Sequence, residues 1–205
     1  MSAGHLLLLI AGILVFSGLL QRVLDRMYMS DRQALCLIGL MFLGGFLPEF
    51  RVGNVNVNIG GALIPLGVCV YLIVKADTSK ERLRSVIGSF ITGVLIFAAT
   101  KALPSEAEKL WIDPLWLYGL IGGIVAWLIG RSRRGAFICG VVGILIADVL
   151  SFMITAMQGY QAELHLGGGG IADASVISGM TAVLLCETFG ELIERMIMRK
   201  KGDQA

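Results

Sequence analysis

Apolar residues along this chain occur in long runs that short polar connections separate. A helix needs a run of about 20 such residues to cross the hydrocarbon core of a bilayer. Seven runs approach this length, and each predicts a membrane-spanning helix: residues 5–21, 34–50, 60–74, 85–100, 114–130, 136–157 and 171–193. The pattern therefore predicts an all-α membrane protein, a bundle of about seven transmembrane helices that forms a single polytopic domain over residues 1–205.

One short stretch departs from the helical pattern. In "RVGNVNVNIGG", Val or Ile alternates with Asn over residues 52–59, and a period of two is typical of a strand. Because lipid does not tolerate a bare strand edge, we expect this segment to lie at the outer surface, to fold back into the protein or to pair with another strand. An exposed edge there would hold an extended peptide by strand addition, with Asn56 and Asn58 in contact with it. An ordinary outer hairpin or loop is the simpler alternative.

Composition and charge support the membrane assignment. Apolar residues make up 56% of the chain and charged residues 16%, whereas soluble domains contain about 25% charged residues. Of the 17 Lys and Arg residues, 14 fall in alternate connections and the C-terminal tail, and 3 fall in the remaining connections. By the positive-inside rule this predicts a multi-pass protein of the bacterial inner (plasma) membrane, with its N-terminus outside and its C-terminus in the cytoplasm. Membrane lipids are the expected surroundings, and nucleic acid is not an expected partner.

The metal-binding residue types do not form a recognisable site in the sequence. The cysteines lie inside apolar runs at wide spacings, without a Cys-x-x-Cys motif, and the two histidines are far from each other. We therefore interpret the cysteines as small core residues and expect neither a metal site nor a cofactor. These residues are Cys36, Cys69, Cys139, Cys186, His5 and His165.

Two acids lie where an ionisable side chain is costly. Asp148 is 12 residues into the sixth run, and Asp173 opens the seventh run. Because the connection between these runs is predicted to be outside, both acids fall in the outer half of the membrane on antiparallel helices. Two carboxylates that meet in a low-dielectric site share a proton, so one acts as a base toward water while the other donates to a carbonyl. The pair predicts an aspartyl protease with Asp148 and Asp173 as catalytic residues.

Four consecutive glycines precede Asp173 and fit the same hypothesis. They have no side chains, so a peptide or water would approach Asp173 closely; they are Gly167, Gly168, Gly169 and Gly170. In the simpler interpretations Asp173 is an exposed helix cap and Asp148 is a buried acid with a polar partner. The functional alternative is a proton- or cation-coupled transporter or channel that uses the same acids, with Glu187 extending the path. An assembly protein without chemistry is a third alternative.

The aspartate motifs resemble those of a known class of membrane protease. An aspartate within one span, a glycine-rich segment and aspartate opening the next, and a separate "ALIP" resemble the intramembrane aspartyl proteases of the presenilin and signal-peptide-peptidase kind, which carry Tyr-Asp, Gly-x-Gly-Asp and Pro-Ala-Leu motifs. This chain has Ala147 in place of the tyrosine, and its ALIP precedes both acids. The resemblance implies that the ALIP residues shape the substrate cleft: Ala62, Leu63, Ile64 and Pro65.

A second resemblance covers the whole chain. Through "NIGGALIP", "GRSRRGAF" and "GGGGIADA" the sequence resembles a family of uncharacterised multi-spanning membrane proteins of spore-forming bacteria and archaea. This resemblance implies a membrane protein and names no reaction. For a protease, the expected substrates would be transmembrane peptides.

Overall fold

The computed structural model describes residue 13 and residues 29–102, 114–130, 132–167 and 174–202. The first predicted span, residues 5–21, therefore lies outside the described residues except for Ile13. The described chain is mostly helical, as predicted, and also contains a small three-stranded sheet. The elements in chain order are α1 (Asp31–Gly44), β1 (Phe50–Val52), β2 (Val55–Val57), a π-helix (Ile59–Leu63), α2 (Ile64–Val74), α3 (Ser79–Ala102), α4 (Pro114–Gly130), α5 (Arg133–Met157), β3 (Leu164–Leu166) and α6 (Ala174–Gly202).

Two of the described helices are long and apolar enough to cross a membrane. They are Ser79–Lys101, with 23 residues, and Arg133–Met157, with 25 residues. Three shorter apolar helices accompany them: Ile59–Val74, Gly119–Ile129 and Ala174–Phe189. Large apolar side chains of α3 are exposed along much of its length: Leu83, Val86, Ile87, Phe90, Ile91, Val94 and Leu95. These features support a membrane protein with two candidate spans, and the bundle of seven spans stays a prediction.

The second predicted span ends earlier than its hydropathy suggests. Ser30 begins α1 as an N-cap, because its side chain accepts a hydrogen bond from Gln33 N, at 3.3 Å, while the Gln33 side chain accepts one from Ser30 N. The helix ends at Gly44, and the chain reaches β1 at Phe50. Pro48 lies between them and has no N–H to continue a helix. The hydropathy of the sequence does not reveal this break, because the strand that follows the helix also contains apolar residues, Phe50 and Val52.

The alternating segment forms a hairpin instead of one strand. Gly53, with a φ of 62°, lies in the two-residue loop between β1 and β2, and Val52 pairs with Val55 across it. On its other edge β2 pairs in parallel with β3, so the strand order is β1-β2-β3. The expectation of an exposed edge on the valine–asparagine segment is therefore wrong for β2, because both of its edges are paired. The outer strands of the sheet are β1 and β3.

Helices α3 to α6 form the main bundle and approach one another at glycines. A Cβ on Gly140 of α5 would lie 2.9 Å from the backbone of Gly179 in α6, and a Cβ on Gly143 would lie 2.6 Å from Cγ2 of Thr92 in α3. Small residues allow such close backbone packing, which is how helices associate in lipid. A larger side chain at these positions would separate the helices.

An ion-pair network joins the helices where α5 begins. Arg134, whose side chain is 10% exposed, pairs with Asp77 at 2.5 Å and with Glu81 at 3.3 Å. Its neighbour Arg133 pairs with Glu187 of α6. Because removing one partner of a buried ion pair leaves an uncompensated charge, this network holds together the α2–α3 connection, α5 and α6.

Candidate functional site

The predicted acids differ in how far the structure describes them. Asp148 lies on α5 and is half-buried, whereas Asp173 lies outside the described residues and directly precedes α6. The apolar cluster of Ile96, Ile144 and Ala147 packs against Ala174, the first residue of α6. Ala147 and Ala174 are the immediate chain neighbours of Asp148 and Asp173. The structure therefore brings together the residues next to the two predicted acids.

Of the four glycines, Gly167 is described, and the other three lie outside the described residues: Gly168, Gly169 and Gly170. Gly167 has a φ of 69°, and a Cβ there would lie 2.5 Å from Ala62 N and 2.6 Å from Gly61 C. A side chain has no room at this point. The start of the glycine segment thus touches the backbone of the "ALIP" segment, although the two are about a hundred residues apart in the chain.

The four ALIP residues do not share one environment. Ala62 and Pro65 are buried, whereas Leu63 is 57% exposed. Ile64 is half-buried and packs against the cluster of Met41 and Val176. Ala62 and Pro65 therefore face the protein interior, and Leu63 faces away from it.

The π-helix next to this contact is held by two side chains that bond the backbone N–H and the backbone carbonyl of one residue, Gly61. Gly61 N donates to Asn58 Oδ1 at 3.0 Å, and Ser175 Oγ of α6 donates to Gly61 O at 3.0 Å. The backbone N of Asn58 donates to Leu166 O of β3 at 2.9 Å. π-Helical turns are frequent at functional sites. Asn58, predicted to contact substrate, is 5% exposed and serves instead as the cap of this turn.

Asn56, the other predicted substrate contact, belongs to a polar row across the sheet. Its Nδ2 donates to Glu163 Oε2 at 3.3 Å and lies 3.4 Å from His165 Nε2. Arg51 Nη2 donates to Glu163 Oε1 at 2.8 Å, and His165 Nδ1 lies 3.4 Å from Glu49 Oε2. Asn56 is 7% exposed, so its amide is engaged within the protein. Sequence analysis missed this cluster, because strand pairing brings its members together from distant positions.

Within the described part of the chain, no group of three or more His, Cys, Asp or Glu side chains is placed to hold a metal ion. All four cysteines are free: Cys69 and Cys139 are buried, Cys186 is half-buried and Cys36 is exposed.

Comparison with known proteins places this site within a family. A family model described as "Protein of unknown function (DUF1614)" matches residues 26–185. The chain belongs to the DUF1614 family. The DUF1614 match includes both predicted acids, the π-helix and Ser175, and it ends two residues before Glu187. The predicted membership of an uncharacterised family is thus confirmed. No curated protein and no solved structure matches the chain.

Proposed function

We propose that the protein is an intramembrane aspartyl peptidase that cleaves membrane-embedded substrates with Asp148 and Asp173. The observation that carries the proposal is the shared packing of Ala147 and Ala174 in one apolar cluster. Consecutive Cα atoms are about 3.8 Å apart, so each acid is tethered close to an alanine in that cluster. The apolar surroundings favour a pair of carboxyl groups that shares one proton.

The proposed reaction needs one proton donor and one base. The ionised carboxylate takes a proton from water as the oxygen attacks the carbonyl carbon of the substrate, and the protonated carboxyl group donates to the carbonyl oxygen. As the tetrahedral diol collapses, one of its hydroxyl groups gives its proton to the ionised carboxylate, the C–N bond breaks and the leaving amine receives a proton from the other carboxyl group. One water is consumed, and the pair returns to its singly protonated state.

The sheet suggests how such a substrate would be held. β3 is an outer strand, and its last residue, Leu166, is followed directly by the glycine segment that leads to Asp173. A peptide bound in extended form along the outer edge of β3 would form backbone hydrogen bonds and would run toward these glycines. A substrate bound in extended form also no longer has helical hydrogen bonds at its scissile peptide bond. β3 therefore takes the substrate-binding role that the sequence assigned to the edge of the valine–asparagine segment.

The charge distribution supports an orientation for this site. With 14 of the 17 basic residues in alternate connections and the tail, we infer that the C-terminus is cytoplasmic and that the sheet and both acids lie toward the outer side of the plasma membrane. The substrates would then be cut in the outer half of the bilayer.

The competing hypothesis is a proton- or cation-coupled transporter that uses the same acids. Such a path would need a further ionisable group toward the cytoplasm, and Glu187 is the candidate. Its carboxylate is ion-paired with Arg133, and the two side chains are 18% and 14% exposed. The Glu187 carboxylate is thus already engaged by Arg133 in a half-buried ion pair, which argues against its use as a site for a passing proton or cation. We therefore favour the peptidase.

Replacing each acid by its amide tests the proposal. Asp148→Asn and Asp173→Asn should each lower cleavage of a doubly tagged single-span peptide in detergent or liposomes by at least about 100-fold. The double variant should be no worse than either single one, since the acids act as one unit. A photoreactive peptidomimetic with a hydroxyl in place of the scissile carbonyl should label the wild-type protein and none of these variants.

Asp31→Asn is the matched control, because Asp31 lies in the first turn of α1 and has no role in the proposed reaction. This variant should cleave and be labelled like the wild type. Cleavage that persists in the double variant would refute the peptidase. Proton or cation flux into vesicles that depends on both acids, with no cleaved product, would favour the transporter.

A further inference from the structure

The Gly61 carbonyl has an unusual hydrogen-bonding position within its helix. In an α-helix the N–H of each residue donates to the carbonyl four residues earlier. Residue 65 is a proline, which has no N–H, so the carbonyl of Gly61 cannot receive this bond. The Ser175 hydroxyl donates to that carbonyl instead, at 3.0 Å. The Gly61 carbonyl, in the π-helix that precedes the proline, is thus an acceptor to which α6 binds.

Residues at both ends of the connection between β3 and α6 contact Gly61. Gly167, at the start of the connection, packs against Gly61 C and Ala62 N. Ser175, in the first turn of α6, donates to Gly61 O and is fully buried. Asp173 is two residues before Ser175 in the chain, and two residues span at most about 7 Å. The contact at Gly61 is therefore made by the first turn of α6, which directly follows Asp173 in the chain.

We propose that Ser175 is a positioning residue: its hydrogen bond to the Gly61 carbonyl fixes the first turn of α6 on the π-helix and thereby sets the position of Asp173 relative to Asp148. The catalytic consequence rests on the proposed peptidase function, whereas the fixing of α6 does not. Asn58 stabilises the same turn of the π-helix, because its Oδ1 accepts a hydrogen bond from Gly61 N. In this proposal the first turn of α6 packs on the Asn58–Pro65 segment and is held there.

The chain supplies a matched pair of variants. Ser175 and Ser178 are both fully buried serines on α6, less than one turn apart. Ser178 Oγ is buried without a hydrogen-bond partner. Ser175→Ala and Ser178→Ala therefore remove the same atom from the same helix, and the difference between them reports the hydrogen bonding of the Ser175 hydroxyl, which includes the bond to Gly61.

Hydrogen–deuterium exchange gives the readout that does not depend on activity. In the full-length protein, Ser175→Ala should raise the exchange rate of backbone amides in residues 164–177 by about tenfold, as expected for loss of one hydrogen bond. Ser178→Ala should leave it unchanged. Both variants should retain wild-type exchange at the Arg134 end of α5, which shows that the fold is intact. Unchanged exchange in Ser175→Ala overturns the positioning role.

Steady-state kinetics on the single-span peptide give the catalytic readout. A misplaced acid lowers the rate of the chemical step, so Ser175→Ala should lower kcat by roughly 10- to 100-fold with little change in KM. Ser178→Ala should retain wild-type kcat. If the Asp→Asn variants are inactive while Ser175→Ala retains full kcat, the positioning role fails and the peptidase stands. If exchange rises as expected but the wild type cleaves nothing, the peptidase fails and the fixing of α6 stands.

Discussion

At Gly167 the backbone conformation and the packing both require a residue without a side chain. Its φ of 69° lies in the left-handed region, where a side chain is disfavoured, and the space that a Cβ would fill holds the backbone of Gly61 and Ala62. A flexible side chain moves aside at low cost, but a backbone segment in a π-helix does not. Glycine at this position is therefore explained by the structure, with no need to invoke substrate access.

Replacing Gly167 by alanine should test this explanation. We expect Gly167→Ala to lower the free energy of unfolding by about 2 to 4 kcal/mol, because backbone strain and steric overlap add. Gly159→Ala is the control, since Gly159 has a φ of 80° but nothing within 4 Å of its Cβ position, and it should lose only about 1 kcal/mol. Denaturant or thermal unfolding of the purified variants in detergent measures both. Equal losses would show that the contact with Ala62 contributes nothing.

At the scale of elements, the pairing of α5 with α6 decides whether the two acids meet. The helices are antiparallel neighbours in the chain, and Gly140 and Gly179 bring their backbones into contact. From that contact, Asp148 is eight residues toward the C-terminal end of α5, or about 12 Å at 1.5 Å per residue. Toward the same end of the pair lies Ala174, the first residue of α6, which packs against the cluster that contains Ala147.

A cysteine pair should detect this proximity. In a background without the four native cysteines, Asp148→Cys combined with Asp173→Cys should be linked efficiently by a short thiol cross-linker, because acids that share a proton lie within about 3 to 7 Å of each other. Ile146→Cys combined with Asp173→Cys is the control. Ile146 Cγ2 lies 2.6 Å from the Cβ position of Gly93, so this side chain faces α3. Equal cross-linking of both pairs, or of neither, would argue against the dyad.

At the scale of the whole molecule, the distribution of charge and exposed apolar surface predicts an orientation. Exposed apolar side chains cover the outer face of α3, and the paired arginines of α5 lie at the opposite end of that helix from β3. An arginine-rich end on the cytoplasmic side and a sheet on the outer side satisfy the positive-inside rule.

Labelling in intact cells should confirm the orientation. A cysteine placed at Gln161, in the connection between α5 and β3, should react with a membrane-impermeant maleimide before lysis, because this connection is predicted to face outside. A cysteine at Lys80, in the first turn of α3, should react only after lysis. Both positions are exposed, and Cys36 must be replaced first because it is exposed as well. The reverse pattern would invert the topology and place both acids toward the cytoplasm.

The sequence by itself determined the features that depend on neighbouring residues. The predicted helix at residues 114–130 has the same bounds as α4, and α5 begins three residues before its predicted start and ends at the predicted residue. Alternating Val and Asn indicated strand structure, and Val55–Val57 is a strand. Apolar runs and two-residue alternation are local properties, and local backbone geometry responds to them directly. The two acids were found in the same way, because a carboxylate in or at the edge of an apolar run is conspicuous without any tertiary information.

The tertiary structure alone decided how these elements meet. Ser175 and Gly61 are 114 residues apart in the chain, and nothing in either segment indicates that the hydroxyl of one donates to the carbonyl of the other. The parallel pairing of β2 with β3 closed the edge that the sequence left open, and it placed His165 beside Asn56. Such contacts depend on shape and hydrogen-bonding complementarity between distant segments, and a single sequence records the propensity of each segment but not its partner.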